Sequence, residues 1–169
     1  MRITVYAIAG VVLFLAGCAK MTEDEMWQKA EQSRASGNVD STIQMCQAIL
    51  REYPDGKNAS AALFMLGETY NGKNDFRAAV NYYGAFVKKY PDSSSTPLAM
   101  FFIGFIYNNN LQIADSARVA YQNFITRFPA HELAASAKFE LDNLGKTPDE
   151  IIGMKKEITA KTKKTSNKK

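Results

Sequence analysis

Histidine occurs once in the 169 residues, at His131, and cysteine only twice, at Cys18 and Cys46. So few imidazoles and thiols exclude most metal centres and most chemistry built on a histidine base. A glycine-rich phosphate loop is missing too, because Gly67, Gly72 and Gly84 are scattered through segments of helical pattern. His131-Glu132-Leu133-Ala134-Ala135 opens like a zinc-binding helix motif but lacks the second histidine one turn later, so no two-ligand face forms. The acidic run Glu23-Asp24-Glu25 stands at a helix start, where carboxylates favour the positive end of the helix dipole. No catalytic residue, no metal ligand set and no cofactor site emerges, and the chain is not expected to be an enzyme.

No apolar run is long enough to span a bilayer comfortably, which takes ~20 helical residues. The longest is Ile3 to Gly17, behind the single positive charge of Arg2. Its length suits a signal-peptide core, with small residues leading up to a cleavage point. What remains has the composition of a globular domain, 46% hydrophobic and 22% charged. The net charge of +4 conceals two regions of opposite sign. Ile151 to Lys169 carries seven lysines against the single acid Glu157, whereas the body between Arg2 and that tail is mildly acidic.

The body repeats itself. Pro54, Pro91 and Pro129 are separated by 37 and 38 residues, and each follows an aromatic residue: Tyr53, Tyr90 and Phe128. In the same register fall Gly67 and Gly104, Tyr70 and Tyr107, Ala79 and Ala117, and Tyr83 and Tyr121. Thr42 and Cys46 occupy the matching places of the first unit. A fixed period of this length marks a solenoid of helix pairs.

Apolar spacing places the helices at Thr22–Ser36 and Val39–Tyr53, Ala59–Tyr70 and Phe76–Tyr90, then Leu98–Asn108 and Ala114–Phe128. A lone helix over about Leu133–Leu144 closes the array, and Asn109–Gln112 is expected to be a turn. Thr22-Glu23-Asp24-Glu25 and Thr147-Pro148-Asp149-Glu150 both read as capping boxes, the second starting a short helix that runs to about Thr159. Thr96 before Pro97 reads as an N-cap. Gly67 and Gly104 are expected to let neighbouring backbones approach closely. Cys46 reads as a small buried core residue.

Leu66-Gly67-x-x-Tyr70, Ala79-x-x-x-Tyr83 and Pro91, repeated as Ile103-Gly104-x-x-Tyr107, Ala117-x-x-x-Tyr121 and Pro129, resemble the tetratricopeptide repeat. Leu15-Ala16-Gly17-Cys18 resembles the bacterial lipobox. Together they make the chain similar to BamD-like outer-membrane assembly lipoproteins and to the repeat region of YbgF/CpoB-like envelope proteins. The resemblance implies an all-α fold, a short right-handed solenoid of about three tetratricopeptide-type helix pairs and a capping helix. It divides the chain into a signal peptide (1–17), the lipidated Cys18 with its linker (18–21), the repeat domain (22–146) and a short helix with a basic tail (147–169). It also implies acylation of Cys18, palmitate among the chains, and, with Ala19 rather than aspartate behind the cysteine, a place at the periplasmic face of the outer membrane.

Trp27, Phe64, Phe101 and Phe139 stand at equivalent places in four successive first helices, which in the repeat family face the concave groove. Glu68 and Phe105 lie one turn further along, and Asn71 and Asn108 further still. Rings of this kind offer rigid contact area and amides and carboxylates set register, so a partner polypeptide is the expected ligand. The plainer alternative is that the rings fill space between helices. The function implied is that of a lipid-anchored scaffold in outer-membrane protein assembly; the alternative is a structural or regulatory lipoprotein linking cell wall or division machinery to the outer membrane. For the lysine tail, peptidoglycan carboxylates or anionic lipid are the partners the envelope offers, and nucleic acid is not.

Overall fold

The computed structural model describes residues 20–147 and 149–154. The apolar leader, Cys18 and the lysine tail from residue 155 lie outside the described residues. Within them the chain is helical, without a strand. Helices α1 (Glu23–Ala35) and α2 (Val39–Glu52) form the first unit, and α3 (Ala59–Gly72) and α4 (Phe76–Lys89) the second. The third pairs α5 (Thr96–Phe105), continued by a π-helical turn Ile106–Asn110, with α6 (Ala114–Arg127). Helix α7 (Ala134–Asp142) closes the array, each helix packing on the one before and the one after it, as in a tetratricopeptide-like solenoid.

The repeat is visible in the backbone. Each second helix ends on its aromatic residue in the same extended-leaning conformation: Tyr53 at φ −133°, ψ 59°, Tyr90 at −124°, 61° and Phe128 at −128°, 56°. A residue before proline is kept out of the α region by the ring, so the helix stops there each time. Within the units, the turn residue takes a positive φ at Gly37 (72°), Asn74 (61°) and Gln112 (55°). The capping box at Thr22 forms as expected, and Glu150 pairs with Thr147 in the same reciprocal way. Residues 149–154 are helical behind it, the remainder of that predicted helix lying outside the described residues.

Three expectations need correction. Ser95, not Thr96, is the N-cap of α5; Thr96 is the first helical residue, fully buried, and its hydroxyl donates to Tyr90 O at 2.5 Å. The hydroxyl thus satisfies the carbonyl at the end of α4 instead of a free N–H of α5. Of the expected turn Asn109–Gln112, Asn109 and Asn110 belong to the π-helix and only Leu111 and Gln112 turn, for a reason the periods give. Tyr70 to Tyr107 is 37 residues but Asn74 to Gln112 is 38, so the third unit carries one extra residue between them. The equivalent N–H groups of Asn38 and Asp75 bond the carbonyls of Ser33 and Tyr70, and that of Ile113 reaches Tyr107 O, one residue further back. The wider turn absorbs the insertion.

The third correction concerns the glycines. A Cβ on Gly67 would lie 2.7 Å from the ring of Tyr83, and one on Gly104 would lie 2.7 Å from the ring of Tyr121. What approaches closely is a tyrosine ring from the second helix, not a backbone. In the first unit, Ala30 and Cys46 take these places, both fully buried in one core cluster. Burial pushes the Cys46 thiol up to about 12, so it is protonated at neutral pH, as a core residue should be.

Polar ties join successive units at their loop edge. Glu23 accepts from the backbone N–H of Asn58 at 2.6 Å, and Asp24 pairs with Lys57 at 2.8 Å, which holds the Asp24 carboxyl below its usual range. The acids at the start of α1 thus anchor the loop before α3 as well as favouring their own helix end. Lys89 joins the same two units by donating to Pro54 O, and one unit on Arg127 repeats the bond to Pro91 O at 2.6 Å.

Candidate functional site

The first helices of the units line up the aromatic ladder and split it into separate places. Trp27 of α1 and Phe64 of α3 meet in a cleft of about 370 Å³, with Glu31, Arg34 and Glu68 around them. This is the size range of ligand pockets, with room for one or two side chains of a bound segment. Phe64 is fixed from below, its ring edge-on to Tyr83 at 5.5 Å and to Phe86 at 5.3 Å. Arg34 reaches across from α1 to Glu68 on α3 at 3.4 Å, both side chains partly exposed. The Tyr83 hydroxyl behind this wall is held well above its usual range by burial, with the Glu68 charge adding to it.

Phe101 repeats the packing of Phe64 one unit on, at 5.9 Å from Tyr121 and 6.1 Å from Phe124. Its ring is half-buried against the third core cluster. Phe105, one turn along, is 40% exposed. Asn71 sits half-buried at the end of α3, and its backbone carbonyl accepts from the Asn74 N–H at 3.0 Å. Asn108 and Phe139 come together in another cleft, of about 550 Å³, between the π turn and α7. There Asn108 donates to Glu140 at 3.0 Å, while Phe139 is 47% exposed.

Of the predicted groove residues, Trp27, Phe64 and Glu68 therefore line an aromatic, charged cleft at the amino-terminal end and Asn108 and Phe139 an amide-lined cleft at the other, while Asn71, Phe101 and Phe105 line neither. Sequence periodicity finds the rings because they lie on helices. It misses Ser60 at the start of α3 and Ser93 and Ser95 from the loop before α5, which complete the first cleft. Asn109, Gln112 and Lys146 of the second cleft are missed as well. The only available signal for these was the extra residue of the third unit. Among the described residues, no helix is long and apolar enough to cross a membrane.

No curated protein matches the chain. A family model does, over residues 19–147, spanning the three helix pairs and α7; its description is outer membrane lipoprotein, YfiO. The match covers far more than half of the sequence and coincides with the in-register solenoid, so the chain belongs to the YfiO family of outer membrane lipoproteins.

Proposed function

We propose that the protein is a scaffold, anchored by lipid on Cys18 at the periplasmic face of the outer membrane, that holds a partner polypeptide along its concave side during outer-membrane protein assembly. Membership of an outer membrane lipoprotein family supports the location, and the lipobox-like end of the leader supports the anchor. The observation that carries the binding role is the cleft between α1 and α3. Two half-buried rings, Trp27 and Phe64, stand beside Glu31, Glu68 and Arg34, two carboxylates and one guanidinium. That composition suits a segment with an apolar anchor next to a positive charge: the rings supply rigid contact area, and the surplus carboxylate selects the cation. Phe101 and Phe105 extend the contact surface along the array, with Asn71 beside it.

The test is a photo-crosslinking side chain in place of Glu31, which is exposed and lines the cleft. Irradiated in living cells, it is expected to yield a discrete adduct with an envelope polypeptide. Glu68→Lys, a half-exposed position, should weaken that capture at least about tenfold with little change in melting. Absence of an adduct above background, or capture indifferent to Glu68→Lys, would sink the reading and leave the rings as packing.

A further inference from the structure

The second cleft has a different chemistry from the first. Its walls carry Asn108, Asn109, Gln112, Asn143 and the exposed ring of Phe139, and its two charged lining groups, Glu140 and Lys146, are of opposite sign. A neutral ligand rich in hydrogen-bonding groups fits such a surface; a charged one gains nothing from it. The amides are also oriented. Asn108 spends an N–H on Glu140 (3.0 Å), Asn109 one on Phe105 O (3.1 Å) and Asn143 one on Phe139 O (2.7 Å). In each case the amide nitrogen is tied to the protein, and the carbonyl oxygen has no hydrogen-bond partner among the described residues. The second N–H of each amide remains beside it. The cleft is thus lined by several acceptor–donor pairs and one flat apolar ring.

An extended peptide presents its N–H groups singly on one edge, at every second residue and about 6.6 Å apart. Ring hydroxyls of a sugar lie side by side and each both donates and accepts, and one face of the pyranose is apolar C–H surface that stacks on an aromatic ring. An acetamido substituent adds an amide of its own to pair with a side-chain amide. The π turn is what assembles the set: the residue inserted into the third unit widens the turn that carries Asn108 and Asn109 and ends ahead of Gln112. The first two units, at the regular spacing, have no such turn. Rare π turns of this kind occur frequently at functional sites.

We infer that the cleft between the π turn and α7 is a binding site for a neutral N-acetylated hexosamine chain, with Phe139 as the stacking platform and the Asn108, Asn109 and Asn143 amides reading its hydroxyl and acetamido groups. This site is separate from the aromatic cleft of α1 and α3 and stands or falls independently of it.

The probe is a soluble tetrasaccharide of N-acetylglucosamine, titrated into the folded protein while backbone amide NMR signals are followed. Saturable shifts are expected at residues 108–112 and 139–146, and the fluorescence of Trp27, the only tryptophan and a lining residue of the other cleft, should not change. Phe139→Ala removes an exposed ring and should weaken binding at least about tenfold without altering the melting curve. Deleting Asn109 restores the 37-residue spacing and should abolish binding while helicity is retained. The inference is overturned by an absence of saturable shifts at these residues, by unchanged binding in Phe139→Ala, or by a neutral extended peptide that displaces the sugar from the same residues. That last outcome would make the cleft a continuation of the peptide groove.

Discussion

The first unit and the two that follow solve one packing problem with different residues. Where α3 meets α4 and α5 meets α6, a glycine receives a tyrosine ring, Gly67 under Tyr83 and Gly104 under Tyr121. In the first unit, Ala30 stands for the glycine and Cys46 for the tyrosine, and both are fully buried. A larger residue on one helix goes with a smaller one on the other. What the repeat preserves is therefore a volume shared between two positions. Interiors packed to crystal density tolerate volume-conserving exchange far better than a change at one position alone.

Breaking the pair from its large side has the greatest expected effect. Tyr83 is 1% exposed and touches Phe64 and Phe102 as well as Gly67. Tyr83→Ala faces a glycine across the crossing, which has no side chain to fill the space. It should cost about 3–5 kcal/mol in urea unfolding, the range for losing a buried aromatic ring. Were the loss below about 1 kcal/mol, the crossing would be loosely packed and the size exchange seen in the first unit would carry no weight.

Filling the pair from its small side comes next. Gly104→Ala gains helix propensity of up to about 1 kcal/mol, but its methyl group would lie 2.7 Å from carbons of the Tyr121 ring, which is fully buried. Overpacking of this kind costs about 1–3 kcal/mol, so a net loss is expected. Transplanting the whole first-unit solution sharpens the comparison. Gly104→Ala with Tyr121→Cys should cost clearly less than the sum of the two single changes, a coupling that a double-mutant cycle reads directly. Additive losses would mean that the two sites do not share volume.

These same residues show how much was legible beforehand. The helix pairs, their aromatic–proline endings and the in-register glycines follow from period and pattern, because local sterics at proline and the apolar face of a helix both leave marks at fixed spacing. Two local features escaped. Thr96 looks like a cap but turns its hydroxyl to Tyr90 O, a choice set by tertiary packing. The π turn was written in the sequence only as the difference between 37 and 38, which says that a residue is extra but not how the backbone absorbs it. The same limit applies to the sites. Ring positions on helices are periodic and were found, whereas Ser93, Ser95 and Gln112 enter the clefts from connecting segments whose course no periodicity records.

The smallest expected effect separates the second unit from the third. Tyr83 and Tyr121 hold equivalent places, yet the hydroxyl of Tyr121 is buried without a hydrogen-bond partner among the described residues, a condition it shares with that of Tyr90 and not with that of Tyr83. A buried, unpaired hydroxyl costs the free energy of stripping it of water, about 1–3 kcal/mol, and phenylalanine carries the same ring without that cost. Tyr121→Phe keeps the tilted ring contact with Phe101 at 5.9 Å and the contact with Gly104, so packing is unchanged. It should therefore raise stability by about 0.5–1 kcal/mol in the urea midpoint at constant slope, while Tyr83→Phe should be neutral or slightly destabilising. Equal responses would mean that the two crossings differ only in sequence number. A loss of 1 kcal/mol or more in Tyr121→Phe would mean that the hydroxyl has a partner in solution, and would place a bound water at the crossing of α5 and α6.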